Sequence, residues 1–503
     1  MRPRRLLIEN VERVYTFDRR RTVYGPASLL IEDGRIESIT PGGEISRPGS
    51  GTQTLDGQGR ILLPGLVNVH HHFFQNVTRA IPTIRGTLLE WLRFAYPLWA
   101  GIDEETVYHA ARISVAELLL TGCTTVADFF YLYPRGQETL FAVEVDAVRS
   151  LGIRFHGIRG CNPIVGGNLA ADLSEIGIDP RELTEERGQL RSASERAIEA
   201  FHDPSPGAMV RVGIGPHLPV WDRPEIMRDL RRISTEAAVL LHTHLHPLQH
   251  ERVLCQHLHG TDPLNYLWSI GWLGPDVWIA HASEHTAEDV DVLARTGTAV
   301  VHCPTSLMAL GRRVPPVRGM LANGVRVGLG TDGGASNDSG SMLAELRMTM
   351  LIHRLKQVHE DGDSSDWLSA EDVFALATNH GASILGRDDI GSIEVGKRAD
   401  LILIDTRKVG FGGMQDPLEA VLHSAATSSI VDTTIVDGNV VVSGGRLQTA
   451  RESDIVEGAN LAARRLVARA RARTGISYPA PRPGHPGADR QGDRGTRRSQ
   501  VTP

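Results

Sequence analysis

The first sixty residues run in short stretches of alternating apolar and polar positions, LLIENV, SLLIEDGRIESI and GRILLPG, separated by turn signals. Period-two alternation marks half-buried strands, and Asp33-Gly34 inside the second stretch is a tight-hairpin dipeptide. The same texture returns in ADLILID (399–405) and in TTIVDGNVVVSGGRL (433–447), again around an Asp-Gly pair at 437–438. The two chain ends, residues 1–63 and 391–450, are expected to pair into one small β-sandwich beside a central domain over 64–390.

That central part holds eight continuously apolar, β-branched runs: GLVNVH (65–70), CTTVADF (123–129), IRFHGIRG (153–160), VRVGIGP (210–216), AVLLHTH (238–244), VWIAHA (277–282), TAVVHCP (298–304) and VRVGLGTD (325–332). Parallel strands covered on both faces lose the polar alternation in this way. Most intervals carry a helical pattern, such as EETVYHAARISVAELLLTG (104–122), with apolar residues at i, i+3 and i+4 and a closing glycine. Strand and helix alternating eight times predict an α/β fold of the (β/α)8, or TIM-barrel, type. Beyond the sandwich, Thr449-Ala-Arg-Glu452 reads as a capping box opening a C-terminal helix within 451–478. Residues 479–503, rich in Pro, Gly and Arg, read as a disordered tail.

Composition narrows the function classes. The 503 residues carry 53 Lys+Arg against 60 Asp+Glu, a net charge of −7, which argues against a nucleic-acid binder and gives no reason to expect a membrane partner. No apolar run approaches the roughly 18 residues a spanning helix needs. MRPRRLLIEN lacks the apolar stretch of a secretory signal, and the four scattered cysteines form no C-x-x-C pair. The expectation is a cytoplasmic enzyme acting on a small molecule.

The 21 histidines point to its chemistry. Chance alone yields about one H-x-H pair in such a chain, so His70/His72 means little by itself. Position supplies the meaning: His70 and His72 close the first run, His244 the fifth, His281 the sixth and Asp332 the eighth. In a (β/α)8 barrel the C-terminal strand ends converge on one face, where active sites are built. Side chains two apart on a strand point the same way, so His70 and His72 can share one ion. Imidazole and carboxylate ligands suit Zn²⁺ or Fe²⁺ and a catalytic water. His71 and His302 read as structural, and Asn337 and Asp338, ahead of SMLAELRMTMLIHRL, as helix caps.

The strings PGLVNVHHH, HTH (242–244), WIAHA, HCPTS and GLGTDGGASND resemble the amidohydrolase superfamily, in particular its metal-dependent deaminase and s-triazine hydrolase branch. The resemblance extends from the N-terminal strands through GSIEVGKRADLILID (391–405). It implies that His70, His72, His244 and Asp332 hold one divalent metal, zinc ahead of iron, and that His281 orients the attacking water or the substrate. Such an ion lowers the pKa of its water to about 7 and supplies a hydroxide, whose proton Asp332 would pass on. The implied reaction is hydrolysis of a C–N bond of a nitrogen heterocycle, by deamination or by opening a cyclic amide or amidine. Gln75 and Arg79 are similar to pocket-lining residues of relatives, Arg79 suiting a carbonyl or anionic edge. His217, just past the fourth run, reads as a further substrate contact. Family members commonly associate, so a homo-oligomer, a dimer, is expected.

The deaminase branch carries H-x-x-E at the fifth strand, its Glu protonating a ring nitrogen; here the string is His244-Leu245-His246-Pro247. A positioned general acid is worth roughly 10²–10⁴ in rate. Three readings stay open. His246 has taken over the proton shuttle, with Glu251 as the alternative acid; or the substrate needs no ring protonation; or the barrel binds metal and ligand without turnover. Hydrolytic displacement of another leaving group, such as halide, is the rival chemistry.

Overall fold

The computed structural model describes residues 5–42, 51–81, 87–163, 167–245, 249–359, 362–426 and 429–478. The eight runs are strands of one parallel sheet: Leu66–His72, Cys123–Phe130, Arg154–Cys161, Val210–Pro216, Leu241–Leu245, Val277–His281, Ala299–His302, and an eighth in two pieces, Val327–Leu329 and Asp332–Gly333. Each neighbours the next in chain order, and the two pieces of the eighth close the ring. Val327 faces Val300 of the seventh strand, while Asp332 and Gly333 face His71 and His72 of the first. A TIM barrel results. Its first three strands are buried at every position, which is why their sequences show no alternation. At Gly330, between the two pieces, a Cβ would come within 2.8 Å of His70, so only glycine allows the eighth strand this close to the first.

Helix Glu104–Leu120 follows the pattern read in its sequence. Asp103 caps it by accepting the Thr106 N–H at 2.9 Å, and Val107, Ala110, Ala111, Ser114, Val115 and Leu118 are buried.

Strands Arg5–Val11, Ala27–Glu32, Arg35–Pro41 and Thr52–Asp56 form a four-stranded sheet. Arg60–Pro64 joins Leu401–Asp405, Val431–Val436 and Asn439–Ser443 in a second sheet. Leu6, Ile8, Leu29, Ile31 and Ile36 of the first pack with Leu62, Leu401, Leu403 and Ile435 of the second, giving the sandwich its own core. Both Asp-Gly pairs adopt positive φ at both residues (Asp33 47°, Gly34 74°; Asp437 51°, Gly438 77°), as a two-residue hairpin turn demands. The two turns touch, since a Cβ on Gly438 would lie 2.6 Å from Gly34 Cα.

Arg154, at the start of the third barrel strand, staples sandwich to barrel. Its guanidinium is buried and forked onto Asp400, with Nε–Oδ2 and Nη2–Oδ1 both 2.8 Å. Nη1 donates to the carbonyls of Gly207 and Ala208 at 2.8 and 2.9 Å.

The C-terminal helix spans Glu452–Thr474 and corrects one expectation: Arg451, not Thr449, is its N-cap residue. The Glu452 carboxylate accepts the Leu447 N–H at 3.2 Å, tying the helix to the preceding strand in place of a capping box. The tail over 479–503 lies outside the described residues. No described helix is long and apolar enough to cross a membrane.

Candidate metal centre

His70, His72, His244, His281 and Asp332 meet at the C-terminal end of the barrel, all buried. His72 Nε2 lies 3.1 Å from His244 Nε2 and 3.4 Å from Asp332 Oδ1, and His70 Nε2 lies 3.5 Å from that same oxygen. The donor atoms of His70, His72 and Asp332 all fall within 4.8 Å of one another, as do those of His70, His244 and His281. His281 stacks on His244 with centroids 5.4 Å apart and planes 4° from parallel.

The opposite ring nitrogens are anchored. His72 Nδ1–H donates to the Phe129 carbonyl at 2.7 Å and His244 Nδ1–H to the His217 carbonyl at 3.0 Å. His70 Nδ1 faces His242 Nε2 at 2.8 Å. An anchored Nδ1–H leaves the Nε2 lone pair to face the centre.

Burial keeps the imidazoles neutral. It pushes His70 down to about 3 and His281 to about 4, lowers His72, and carries His244 well below its ordinary value. For Asp332 burial acts in the raising direction, yet the neighbouring His70, His281 and His72 outweigh it and hold the carboxyl well below the usual range. Neutral imidazoles and an ionised carboxylate are the protonation states a divalent cation needs. At 3.5 Å the approach of His70 Nε2 to Asp332 is too long for a good hydrogen bond. That nitrogen is buried with no hydrogen-bond partner among the described residues, and an orphaned imidazole nitrogen fits a divalent metal as its partner. Asp332 (φ 57°), His281 (79°) and Ala282 (52°) all sit in the left-handed region, at a cost of order 1–3 kcal/mol each, as strained residues at functional sites do.

A polar network holds Asp332 in place. Asn68 Oδ1 accepts the N–H groups of His70 at 3.2 Å and Thr331 at 3.3 Å, and its Nδ2 donates to Thr331 Oγ1 at 2.7 Å. Asn337 is not a helix cap, contrary to the expectation from its position. Its Nδ2 donates to the Thr331 carbonyl at 2.6 Å and to Glu345 Oε1 at 2.9 Å. Asp338 accepts the Ala80 N–H at 2.6 Å. The segment after Asp332 folds back over it, and Ser341 Oγ accepts the Ala344 N–H at 3.3 Å at the start of helix Met342–His359. Glu345, fully buried on that helix, also accepts the Thr305 N–H at 3.2 Å. Burial lifts its carboxyl to about 7 against the pull of these donors.

The remaining predicted residues are placed unevenly. Gln75 packs against Gly333, where a Cβ would fall 1.9 Å from its Oε1, and neither amide atom has a hydrogen-bond partner among the described residues. The His217 ring stacks on Tyr131 (3.8 Å, 7°), its Nδ1 likewise unpartnered there. Arg79 is ion-paired with Glu117, so its charge is matched from within the chain. Glu251 is buried in the first turn of helix Gln249–His259. Its charge acts on Arg312, which in turn acts on His281. His246 lies outside the described residues. His71 faces Asp128 (Nδ1–Oδ1 3.6 Å) and His302 pairs with His353 at 3.3 Å.

His242, Tyr131, Asn68 and Glu345 were not singled out by sequence reasoning. His242 did carry a signal: it stands two residues from His244 on one strand, the spacing that drew attention to His70 and His72.

The model of the Amidohydrolase family matches residues 61–441. The chain belongs to the amidohydrolase family. It is 37% identical over 445 residues to 8-oxoguanine deaminase of Pseudomonas aeruginosa, covering 88% of this chain and 93% of that one. It is 34% identical to hydroxydechloroatrazine ethylaminohydrolase of Pseudomonas sp. strain ADP, covering 89% and 92%. Among solved structures, atrazine chlorohydrolase of Arthrobacter aurescens TC1, complexed with zinc, matches with a TM-score of 0.84 at 31% identity, over 91% of this chain and 100% of that one. This amidohydrolase is therefore a hydrolase built on a TIM barrel, as the resemblance of its histidine strings implied.

Proposed function

We propose that this amidohydrolase cleaves a C–N bond of a small nitrogen heterocycle, by deamination or by opening a cyclic amide or amidine. One zinc ion, held by His70, His72, His244 and Asp332, is its cofactor. The observation that carries this reading is the meeting of His70 and His72 Nε2 at Asp332 Oδ1, 3.5 and 3.4 Å away, with His244 Nε2 3.1 Å from His72 Nε2 and the His70 nitrogen buried and unpartnered among the described residues. When bound, a divalent ion supplies a nucleophilic water at neutral pH.

The chain's own side chains supply the rest. Asp332 accepts a proton from the attacking water as its oxygen adds to carbon. It returns that proton to the departing nitrogen as the C–N bond breaks, and ammonia or an amine leaves. His281, neutral and stacked on His244, orients the nucleophile or the developing oxyanion. Gln75 offers an amide donor and acceptor to the ring edge, and His217 a ring face and Nδ1. Arg79 enters with its charge already matched by Glu117. His246 takes the role of the missing glutamate as ring-nitrogen acid, with Glu251 as the second candidate. The likeness to a chlorohydrolase supports one further reading, displacement of halide from an activated ring by the same water.

Zinc-loaded protein incubated with aminopurines, pterins, triazines and cyclic amides, with product masses followed, tests the proposal. Replacement of NH₂ by OH signals deamination, a gain of water signals ring opening, and chloride release signals the second reading. No turnover of any compound, or no divalent metal by elemental analysis after chelator-free purification, would overturn it. Sedimentation of the same material reads the expected homodimer.

A further inference from the structure

The three anchored imidazoles are not anchored alike. His72 and His244 direct Nδ1 at main-chain carbonyls, whereas His70 directs it at a side chain, His242. The sense of that contact is set at its far end. His242 Nδ1 lies 2.9 Å from the Trp278 carbonyl, which only accepts, so His242 carries its proton on Nδ1 and presents a lone pair at Nε2. Only an Nδ1–H of His70 satisfies that lone pair. His70 is thereby left with its own lone pair on Nε2.

The relay is rigid. His242 has no solvent exposure, stacks on the Trp278 indole (4.4 Å, 22°) and meets Phe129 edgewise (4.9 Å, 65°). Trp278 Nε1–H binds the carbonyl of Val69, the residue before His70, at 3.0 Å. On the far side a Cβ at Gly215 would fall 1.7 Å from the His242 carbonyl oxygen, so the fourth and fifth strands are pressed together there. The sixth strand thus grips the first at two adjacent points, one through His242.

We infer that His242 is a positioning residue that fixes the tautomer and ring direction of His70 and so sets how tightly a divalent cation is held at Nε2. The inference rests on the proposed metal centre. It is tested by zinc affinity, measured by chelator competition on metal-stripped, full-length protein. His242→Phe keeps an aromatic ring in the cradle but removes the acceptor, while His242→Gln keeps an acceptor oxygen on a side chain of similar reach. Loss of such an outer partner weakens metal binding about 10–100-fold, expected for Phe, with Gln restoring affinity to within about threefold of wild type. Thermal unfolding of the metal-free forms separates affinity from folding, and His242→Met replaces Phe with the same expectation should Phe not fold. Wild-type affinity in the Phe or Met variant, or an equal loss in Gln, overturns the role of His242. A wild type that itself binds no zinc overturns the metal centre, and this inference with it.

Discussion

Glu345 acts on Asp332 without touching it. Its two oxygens accept from Thr305 N–H and Asn337 Nδ2, and Asn337 also binds the carbonyl of Thr331, the residue before Asp332. Glu345→Gln has one acceptor oxygen, so one of these donors is left facing an NH₂ group. A buried donor left unsatisfied costs about 1–3 kcal/mol. The difference from wild type depends on pH, because burial lifts the Glu345 carboxyl from an ordinary 4.5 to about 7. A raised folded-state pKa means that the folded protein holds this proton more tightly than the unfolded chain. The resulting stability is full below the unfolded value and is lost as pH rises through about 7. Between about pH 5 and about pH 8 the wild type gives up about 2.5 kcal/mol through this group, and the Gln variant gives up nothing. At the acid end protonated Glu345, like Gln, has one full acceptor oxygen, so denaturant unfolding should show Glu345→Gln close to wild type there and gaining on it by about 2.5 kcal/mol toward the alkaline end. A misplacement near 1 Å costs on the order of 10² in rate, so kcat should fall about 10–100-fold while zinc content stays at the wild-type level. A stability gap that does not change with pH, or an unchanged kcat, would refute the argument.

Three further outcomes follow from the same geometry. Asp332→Asn should fold normally, because Asn tolerates the left-handed φ of 57°, yet lose about 10²–10⁴ in kcat; activity above about one tenth of wild type would remove Asp332 as proton carrier. Arg154→Met leaves Asp400 buried without its partner and should lower unfolding stability by about 3–5 kcal/mol, and a loss under about 1 kcal/mol in denaturant unfolding would show that the staple is dispensable. His246→Ala should lower kcat/KM by about 10²–10⁴ while Glu251→Gln stays within a few-fold; the opposite ranking in steady-state kinetics moves the acid to Glu251.

The barrel was legible because burial on both faces stamps each strand with an apolar run, and the residues at the ends of four runs carried the chemistry in plain view. What stayed hidden depends on partners far apart in the chain. His70 and His242 are 172 positions apart, and Glu345 and Thr305 are 40 apart. In SMLAELRM nothing local distinguishes Glu345 from a solvated helix carboxylate. Asn337 had every local attribute of a cap, but the Thr331 carbonyl and Glu345 engaged its amide instead. The Thr449 capping box failed because Glu452 found the Leu447 N–H. Local motifs lose when a tertiary partner offers the same group a better bond.

Two of the imidazoles owe their aim to peptide oxygens, those of Phe129 and His217, and the His217 N–H is in turn bound to the Cys161 carbonyl at the end of the third strand. No side-chain substitution deletes a peptide oxygen, so this part of the cradle persists through any drift that preserves the barrel. The segments around the mouth are thereby released from the task of aiming ligands and remain at liberty to reshape what enters. Directed evolution toward a new compound should find its gains there, with cation affinity unaltered.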